Sequence, residues 1–168
     1  MTGPRRGAGT PWGVGVVLRR LLAGVRRAVR LLGFRGGPEP ATRRIGRIGE
    51  GLAASAMRGA GCVVIARNAR VPMGEADLVC RTADGRTLIV VEVKTRQRLG
   101  GAGRGERVAP LASVTARKRR KLLTIARYLA RVNGHVGPVR IDVVGVELDA
   151  AERALSVRHV VGAVGTGR

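Results

Sequence analysis

Aromatic residues are almost absent from this chain of 168 residues, which has one Trp, one Tyr and one Phe. That excludes stacking of bases on aromatic platforms as its way of holding single strands. Cysteine is nearly as scarce. Cys62 and Cys80 lack the short spacing of a metal knuckle, and two cysteines make no disulfide scaffold. Both fall in expected strands and read as small buried core residues. The expected compartment is a reducing cytoplasm. His135 and His159 stand alone in the sequence, which argues against a histidine-based metal site or triad. No apolar run approaches the ~18 residues that a membrane-spanning helix needs.

Acids are few as well. Eleven Asp and Glu face 32 Lys and Arg, for a formal net charge of +21. An excess this large points to a polyanionic partner, either nucleic acid or an anionic membrane surface. Lysine is rarer still, with only Lys94, Lys118 and Lys121 among the basic residues. A coding bias accounts for arginine outnumbering lysine, but not for bases outnumbering acids.

Against that scarcity, residues 74–96 (GEADLVCRTADGRTLIVVEVKTR) concentrate Glu75, Asp77, Glu92 and Lys94. Asp84-Gly85 between two β-rich runs predicts a two-residue hairpin turn. Paired positions then sum to 169, so Asp77 faces Glu92 and Glu75 faces Lys94. With side chains alternating at period two, all four share a face with Val79, Leu88 and Val90. Opposed Cβ atoms lie about 5 Å apart. Two carboxylates at that distance repel by about 3 kcal/mol at an effective dielectric near 20. A divalent cation such as Mg²⁺ turns that repulsion into ligation, because hard ions take carboxylate and water oxygens. The bland alternative is a cross-strand charge ladder on a solvated face, which the apolar neighbours on that face make awkward.

Residues 1–42 form a separate basic extension, Gly/Pro-rich at both ends. Within it VVLRRLLAGVRRAVRLL (16–32) has helical periodicity, with Arg19, Arg20, Arg26, Arg27 and Arg30 inside an arc of roughly 120°. Such a helix suits an anionic membrane surface, nucleic acid or a protein partner. A poorly ordered tail is the other reading. The folded domain is expected over 43–161, with 162–168 as a tail. Its first helix spans 43–59 with Thr42 as cap. Strands follow at 62–67 and in the hairpin, then a Gly-rich loop and a second helix over 114–132 opened by Ser113. Two more strands, 139–148 and 154–161, complete the order α-β-β-β-α-β-β. The helix between the third and fourth strands suits a parallel crossover. The fold class is therefore α/β, a central mixed sheet flanked by helices.

Glu50 sits at the edge of the first helix's apolar stripe, where it can reach over the sheet. Lys118 falls on the second helix's stripe with Leu122, Ile125 and Leu129, either snorkelling to the surface or pointing at the acidic face to hold a phosphate. Asp142 reads as a structural acid paired with an arginine. Arg96, Arg98, Arg104 and Arg107, with Arg117 to Lys121, make the candidate surface for a nucleic-acid backbone, gripping phosphate without reading bases. Carboxylates that bind metal beside a lysine on a basic surface are what metal-assisted phosphodiester hydrolysis requires.

Gly74-Glu75-Ala76-Asp77-Leu78 followed by Val90-Val91-Glu92-Val93-Lys94-Thr95-Arg96 resembles the PD-(D/E)XK nuclease signature. The proline-aspartate opening is missing, with Glu75-Ala76 before Asp77 instead. Gly46-Arg47-x-Gly49-Glu50, Arg67-Asn68-x-Arg70, Lys118 and Arg140-x-Asp142-Val143 extend the match. The whole pattern, over about residues 43–148, is similar to the YraN family of small bacterial proteins. That resemblance implies a restriction-endonuclease-like fold related to archaeal Holliday-junction resolvases. It implies Glu50, Asp77, Glu92 and the Val93 carbonyl as ligands of Mg²⁺ or Mn²⁺, and Lys94 as the catalytic lysine. Glu75 either holds a water of the ion's shell or pairs with Lys94. The function so implied is a Mg²⁺-dependent endonuclease on DNA, with branched or damaged structures as candidate targets, and a homodimer if it cuts as resolvases do. A binding protein that keeps the scaffold without turnover is the alternative.

Overall fold

The computed structural model describes residues 39–98 and 114–164. The basic pattern over 16–32 and loop residues Arg104 and Arg107 lie outside the described residues. Helix α1 (Ala41–Gly59) starts directly after Pro40, whose carbonyl accepts from the N–H groups of Arg43 and Arg44 at 2.9 and 3.1 Å. Thr42, expected as the cap, lies inside the first turn, and no side chain caps this end. The proline ring holds its own φ at −54° with ψ at 136°, so the chain leaves an extended residue and turns straight into helix.

Five strands follow α1 to form one sheet in the order β1-β2-β3-β4-β5. They are β1 (Cys62–Val71), β2 (Gly74–Thr82), β3 (Leu88–Gln97), β4 (Val139–Leu148) and β5 (Ala154–Val164). Helix α2 (Ala116–Val132) connects β3 to β4, which run parallel, and every other neighbouring pair is antiparallel. The α/β class, the mixed sheet and the element order are as the sequence predicts. β1 runs four residues past its expected end because β2 pairs with it down to Val71 and Gly74. The cap of α2 is Thr115, whose hydroxyl accepts from the Lys118 N–H at 3.2 Å, in place of Ser113.

The central hairpin keeps its predicted register with a different loop. Gly85, in the left-handed region at φ 73°, donates to the Thr82 carbonyl at 2.8 Å, and Thr82 N–H meets the Thr87 carbonyl at 3.1 Å. Asp84 ties the turn by accepting from the Thr82 hydroxyl and the Arg86 N–H. The connection is thus longer than two residues, yet still centred between Asp84 and Gly85. Leu78 therefore pairs with Val91, Val79 with Val90 and Arg81 with Leu88, as a sum of 169 requires.

Both faces of the sheet are covered. α2 lays Leu122, Ile125, Ala126 and Leu129 on Val79, Leu88, Val90, Ile141 and Val143. α1 packs Ala53, Ala54 and Met57 on Leu78, Cys80, Ile89, Val91, Val144 and Val146. This explains why Leu88–Val91 is continuously apolar, since a strand covered on both sides needs apolar residues at every position. Each fully buried Leu or Ile here contributes roughly 1.5–3 kcal/mol.

One acid is buried far from any turn. Asp142, 0% exposed, accepts from Arg140 at 2.8 and 2.9 Å and from the Gly162 N–H at 2.9 Å, with His159 Nε2 at 2.8 Å. The sequence leads one to expect an arginine partner for Asp142 without saying which; the structure supplies Arg140. The Gly162 contact coincides with a bulge opposite Asp142, where β5 skips from Val160 to Val164 in its pairing. β5 therefore continues to Val164, past the expected end at Val161.

Candidate active site

The β2–β3 ladder stops at Leu78 and Val91, so the next facing pair, Asp77 and Glu92, sits where the two strands part. The Asp77 carboxylate fills the gap. Its Oδ2 accepts from the Val93 N–H at 2.7 Å, a bond that a strand carbonyl would otherwise make. Burial pushes the Asp77 carboxyl up to about 6, and the negative charge of Glu92 adds to the effect. The Val93 N–H and the Lys118 charge pull the other way, while Glu50 contributes a smaller upward push.

Glu92 is only 2% exposed. Lys94 Nζ lies 2.8 Å from its Oε1, and Lys118 Nζ 3.0 Å from its Oε2. Lys94 shares the strand face of Glu92 two residues on, whereas Lys118 arrives from the first turn of α2. The Lys118 approach is close enough for an ion pair but off the hydrogen-bonding direction, leaving Oε2 buried without an aligned donor. Both lysines keep about a third of their side-chain surface, at 35% and 34%. They form the rim of the site and Glu92 its floor.

Glu50 approaches from α1, on the other side of the sheet. Gly49 makes this possible, because a Cβ there would overlap the Thr95 side chain on β3. With no Cβ the helix lies directly on the strand, and Glu50 reaches the open end of the hairpin. Its Oε2 accepts from the Asn68 side-chain amide at 3.0 Å.

Asp77, Glu92, Lys94 and Lys118 are thus brought together, with Glu50 near enough for its charge to act on Asp77. Among the described residues no three Asp, Glu, His or Cys side chains converge as a ready metal cage. Each acid instead faces a different positive partner: Asp77 a backbone N–H, Glu92 two ammonium groups, Glu50 an amide. The donor set still fits a hard divalent ion, because it offers carboxylate oxygens and one of them, Glu92 Oε2, is buried without an aligned hydrogen bond.

A family model described as "Uncharacterised protein family UPF0102" matches residues 49–146. The chain belongs to family UPF0102. This is the family to which the YraN resemblance pointed. A UPF0102 protein of Symbiobacterium thermophilum is 44% identical over 108 residues, covering 63% of this chain and 84% of that protein. A UPF0102 protein of Beutenbergia cavernae is 45% identical over 118 residues, covering 70% and 93%. Among solved structures, Pyrococcus furiosus SfsA in complex with Ca²⁺ aligns at 18% identity with a TM-score of 0.32, over 71% of this chain and 62% of that one. A likeness that low carries no argument. Glu50, Asp77, Glu92, Val93, Lys94 and Lys118 all fall within the segment matched to UPF0102.

Other expected positions lie elsewhere. Glu75 does not meet Lys94. It pairs with Arg70 on β1 at 3.6 Å, because the β2–β3 ladder has ended while the β1–β2 ladder continues through Arg70 and Glu75. Arg96 is exposed on β3, and Arg117 and Lys121 are exposed on α2. The Lys121 stem packs over Gly74 at the start of β2. Arg98 donates its backbone N–H to Leu148 at the end of β4. Two contributors escaped sequence reasoning. Asn68 stands out in the sequence only as part of the Arg67-Asn68-x-Arg70 motif, although an asparagine inside a β-rich run is itself a sign of a break in the strand. The contact between Gly49 and Thr95 had no readable signal, since it depends on how close the helix sits to the sheet.

Proposed function

We propose that this protein is a Mg²⁺- or Mn²⁺-dependent nuclease that hydrolyses phosphodiester bonds in DNA, with branched or damaged structures as its targets. The observation that carries this reading is Glu92. A carboxylate 2% exposed stands beside a second one, Asp77, whose pKa is raised to about 6, in a protein with net charge +21. Lys94 and Lys118 offset the Glu92 charge, but a second charge on Asp77 beside it still opposes folding, and a divalent cation would relieve it.

The ion would be held by Glu50, Asp77, Glu92 and the Val93 carbonyl, and when bound it supplies Lewis acidity to the scissile phosphate. The chain's own groups do the rest. Lys94, ion-paired to Glu92 and partly exposed, orients the attacking water and neutralises charge that builds on the phosphate. Lys118, partly exposed on the other side of Glu92, holds a non-bridging phosphate oxygen. Arg96, Arg117 and Lys121 then bind the backbone on either side without reading bases. Symmetric cutting of a branched substrate calls for a two-fold dimer. The free, buried Cys62 and Cys80 are compatible with a cytoplasmic setting.

A second reading is favoured by one observation. Glu92 is already neutralised by Lys94 and Lys118, as it would be in a protein that binds nucleic acid without cutting it. The test is cleavage of branched, single-stranded and duplex DNA with Mg²⁺ and Mn²⁺, comparing wild type with Lys94→Ala. Metal-dependent cleavage lost in Lys94→Ala supports the nuclease. Salt-sensitive binding without cleavage by either protein supports the second reading.

A further inference from the structure

Asn68 has a backbone out of keeping with its surroundings. Among the described residues only Asn68 and Glu152 are non-glycine residues with positive φ. Glu152, at φ 64°, lies in the turn between β4 and β5, where a left-handed residue is ordinary. Asn68, at φ 49°, lies inside β1. Its neighbours remain in the ladder, Arg67 paired with Leu78 and Ala69 with Ala76, while Asn68 drops out at the position that faces Asp77. A left-handed residue there makes no turn and breaks the pleat. What it does is aim the side-chain amide at Glu50 Oε2, 3.0 Å away on α1.

We propose that Asn68 is a positioning residue for Glu50, and that the left-handed break in β1 exists to deliver its amide. This rests on the reading of Glu50 as a metal ligand. The residue type follows from the task. Asparagine tolerates the left-handed region better than other side-chain-bearing residues. Its amide is a neutral donor, so it fixes one carboxylate oxygen without cancelling the charge a divalent ion needs. Arginine or lysine at this position would compete with that ion. Gly49 fixes the backbone beneath Glu50 through its contact with Thr95, and the Asn68 amide removes the remaining side-chain freedom. Partners of this kind behind a ligand are commonly worth about tenfold or more in metal affinity.

The experiment uses the full chain and two substitutions that separate backbone from amide. Asn68→Gly keeps the left-handed conformation without strain and removes the amide, whereas Asn68→Ala removes the amide and adds strain. Mn²⁺ binding is measured by calorimetry and stability by thermal melting. The expected result is that both variants bind Mn²⁺ about tenfold more weakly. Asn68→Gly should melt within about 3 °C of wild type, and Asn68→Ala several degrees lower. If Asn68→Gly binds Mn²⁺ like wild type, the positioning role is wrong, even where Asn68→Ala is impaired. If Asn68→Gly melts as low as Asn68→Ala, the amide is structural and the proposal also fails. An Asp77→Asn control distinguishes the two levels. Wild-type binding lost in Asp77→Asn but kept in Asn68→Gly overturns only the role of Asn68. Absence of Mn²⁺ binding in wild type overturns the metal-site reading and this inference together.

Discussion

Lys118 reaches from the first turn of α2 to within 3.0 Å of Glu92 Oε2 on β3. The two residues come from elements on different layers, Lys118 from the sheet face opposite the helix that carries Glu50. Under the proposed function, a divalent ion bound between Asp77 and Glu92 would take up the same negative charge that Lys118 now neutralises. On the proposed reading the lysine and the ion would compete for one carboxylate, and the released ammonium would be free to meet a phosphate.

That competition makes a prediction for Lys118→Met, which keeps the packing stem and removes the charge. Breaking one side of a buried ion pair costs about 3–5 kcal/mol. Lys94 remains beside Glu92, so the expected loss is nearer 1–2 kcal/mol in metal-free buffer, read by chemical denaturation. Mn²⁺ affinity should rise in the same variant, because no ammonium has to be displaced. Weaker Mn²⁺ binding would mean that Lys118 supports the site instead of competing for it.

Asp77 links the site to pH. Its carboxyl has a folded-state value of about 6 against 3.8 unfolded, so folding favours the protonated form. The stabilisation is fully present below pH 3.8 and is lost as pH rises through about 6, where the charged form must be held in a buried site. The shift corresponds to roughly 2–3 kcal/mol, to order of magnitude. Asp77→Asn keeps an acceptor for the Val93 N–H and removes the charge. It should therefore raise stability by about 1–3 kcal/mol at pH 8, with the gain fading as the pH approaches 4. The same substitution should abolish stabilisation by Mg²⁺. Melting curves over a pH series, with and without the ion, check both statements.

How much of this was legible without coordinates differs from residue to residue. The facing of Asp77 and Glu92 was readable because the Asp84-Gly85 turn centres the hairpin, and a longer loop about the same centre leaves the register unchanged. The parallel β3–β4 pair was readable because a helix intervenes between them. That Asp142 would pair with an arginine was readable, but the identity of the partner, Arg140 two residues away on the same strand face, came from the structure. Features set by distance between layers were not legible. Whether Lys118 points to Glu92 or to solvent depends on how deep α2 sits. The pairing of Glu75 depends on where one ladder ends while its neighbour continues. The bulge that brings Gly162 to Asp142 arises from tertiary demand, with no turn residues to announce it.

Gly49 offers a test of how the layers set the site. A methyl group at this position overlaps the Thr95 side chain, so Gly49→Ala must push α1 away from β3 or rotate it. Overpacking of this kind costs about 1–3 kcal/mol. The displacement also moves Glu50, the next residue, so Mn²⁺ binding should weaken along with stability. Adding Thr95→Ala should recover part of both, since it removes Oγ1, the atom closest to the new methyl, while Cβ stays within reach of it. Calorimetry on the single and double variants measures the recovery, and its absence would mean that the loss does not come from this contact.

Asp142 gives the opposite expectation, a large loss of stability away from the acidic site. Its carboxylate satisfies Arg140, the Gly162 N–H and the contact with His159 with no solvent exposure. Asp142→Ala leaves the Arg140 guanidinium without its counter-ion and the bulge N–H without an acceptor. Removing one partner from a buried charged network costs about 3–5 kcal/mol. Asp142→Asn keeps one acceptor oxygen for Gly162 but loses the charge that Arg140 requires, so its cost should be smaller, about 2–3 kcal/mol. Because Asp142 pairs across from Val91 and faces the α1 side, neither change touches Glu92 or Lys94 directly. Mn²⁺ affinity of the folded protein should therefore remain within about twofold of wild type, as expected for separated sites without shared partners. A calorimetric titration well below the melting temperature would show this. A large affinity loss there would mean that the Asp142 network and the acidic site are coupled through β3 and β4.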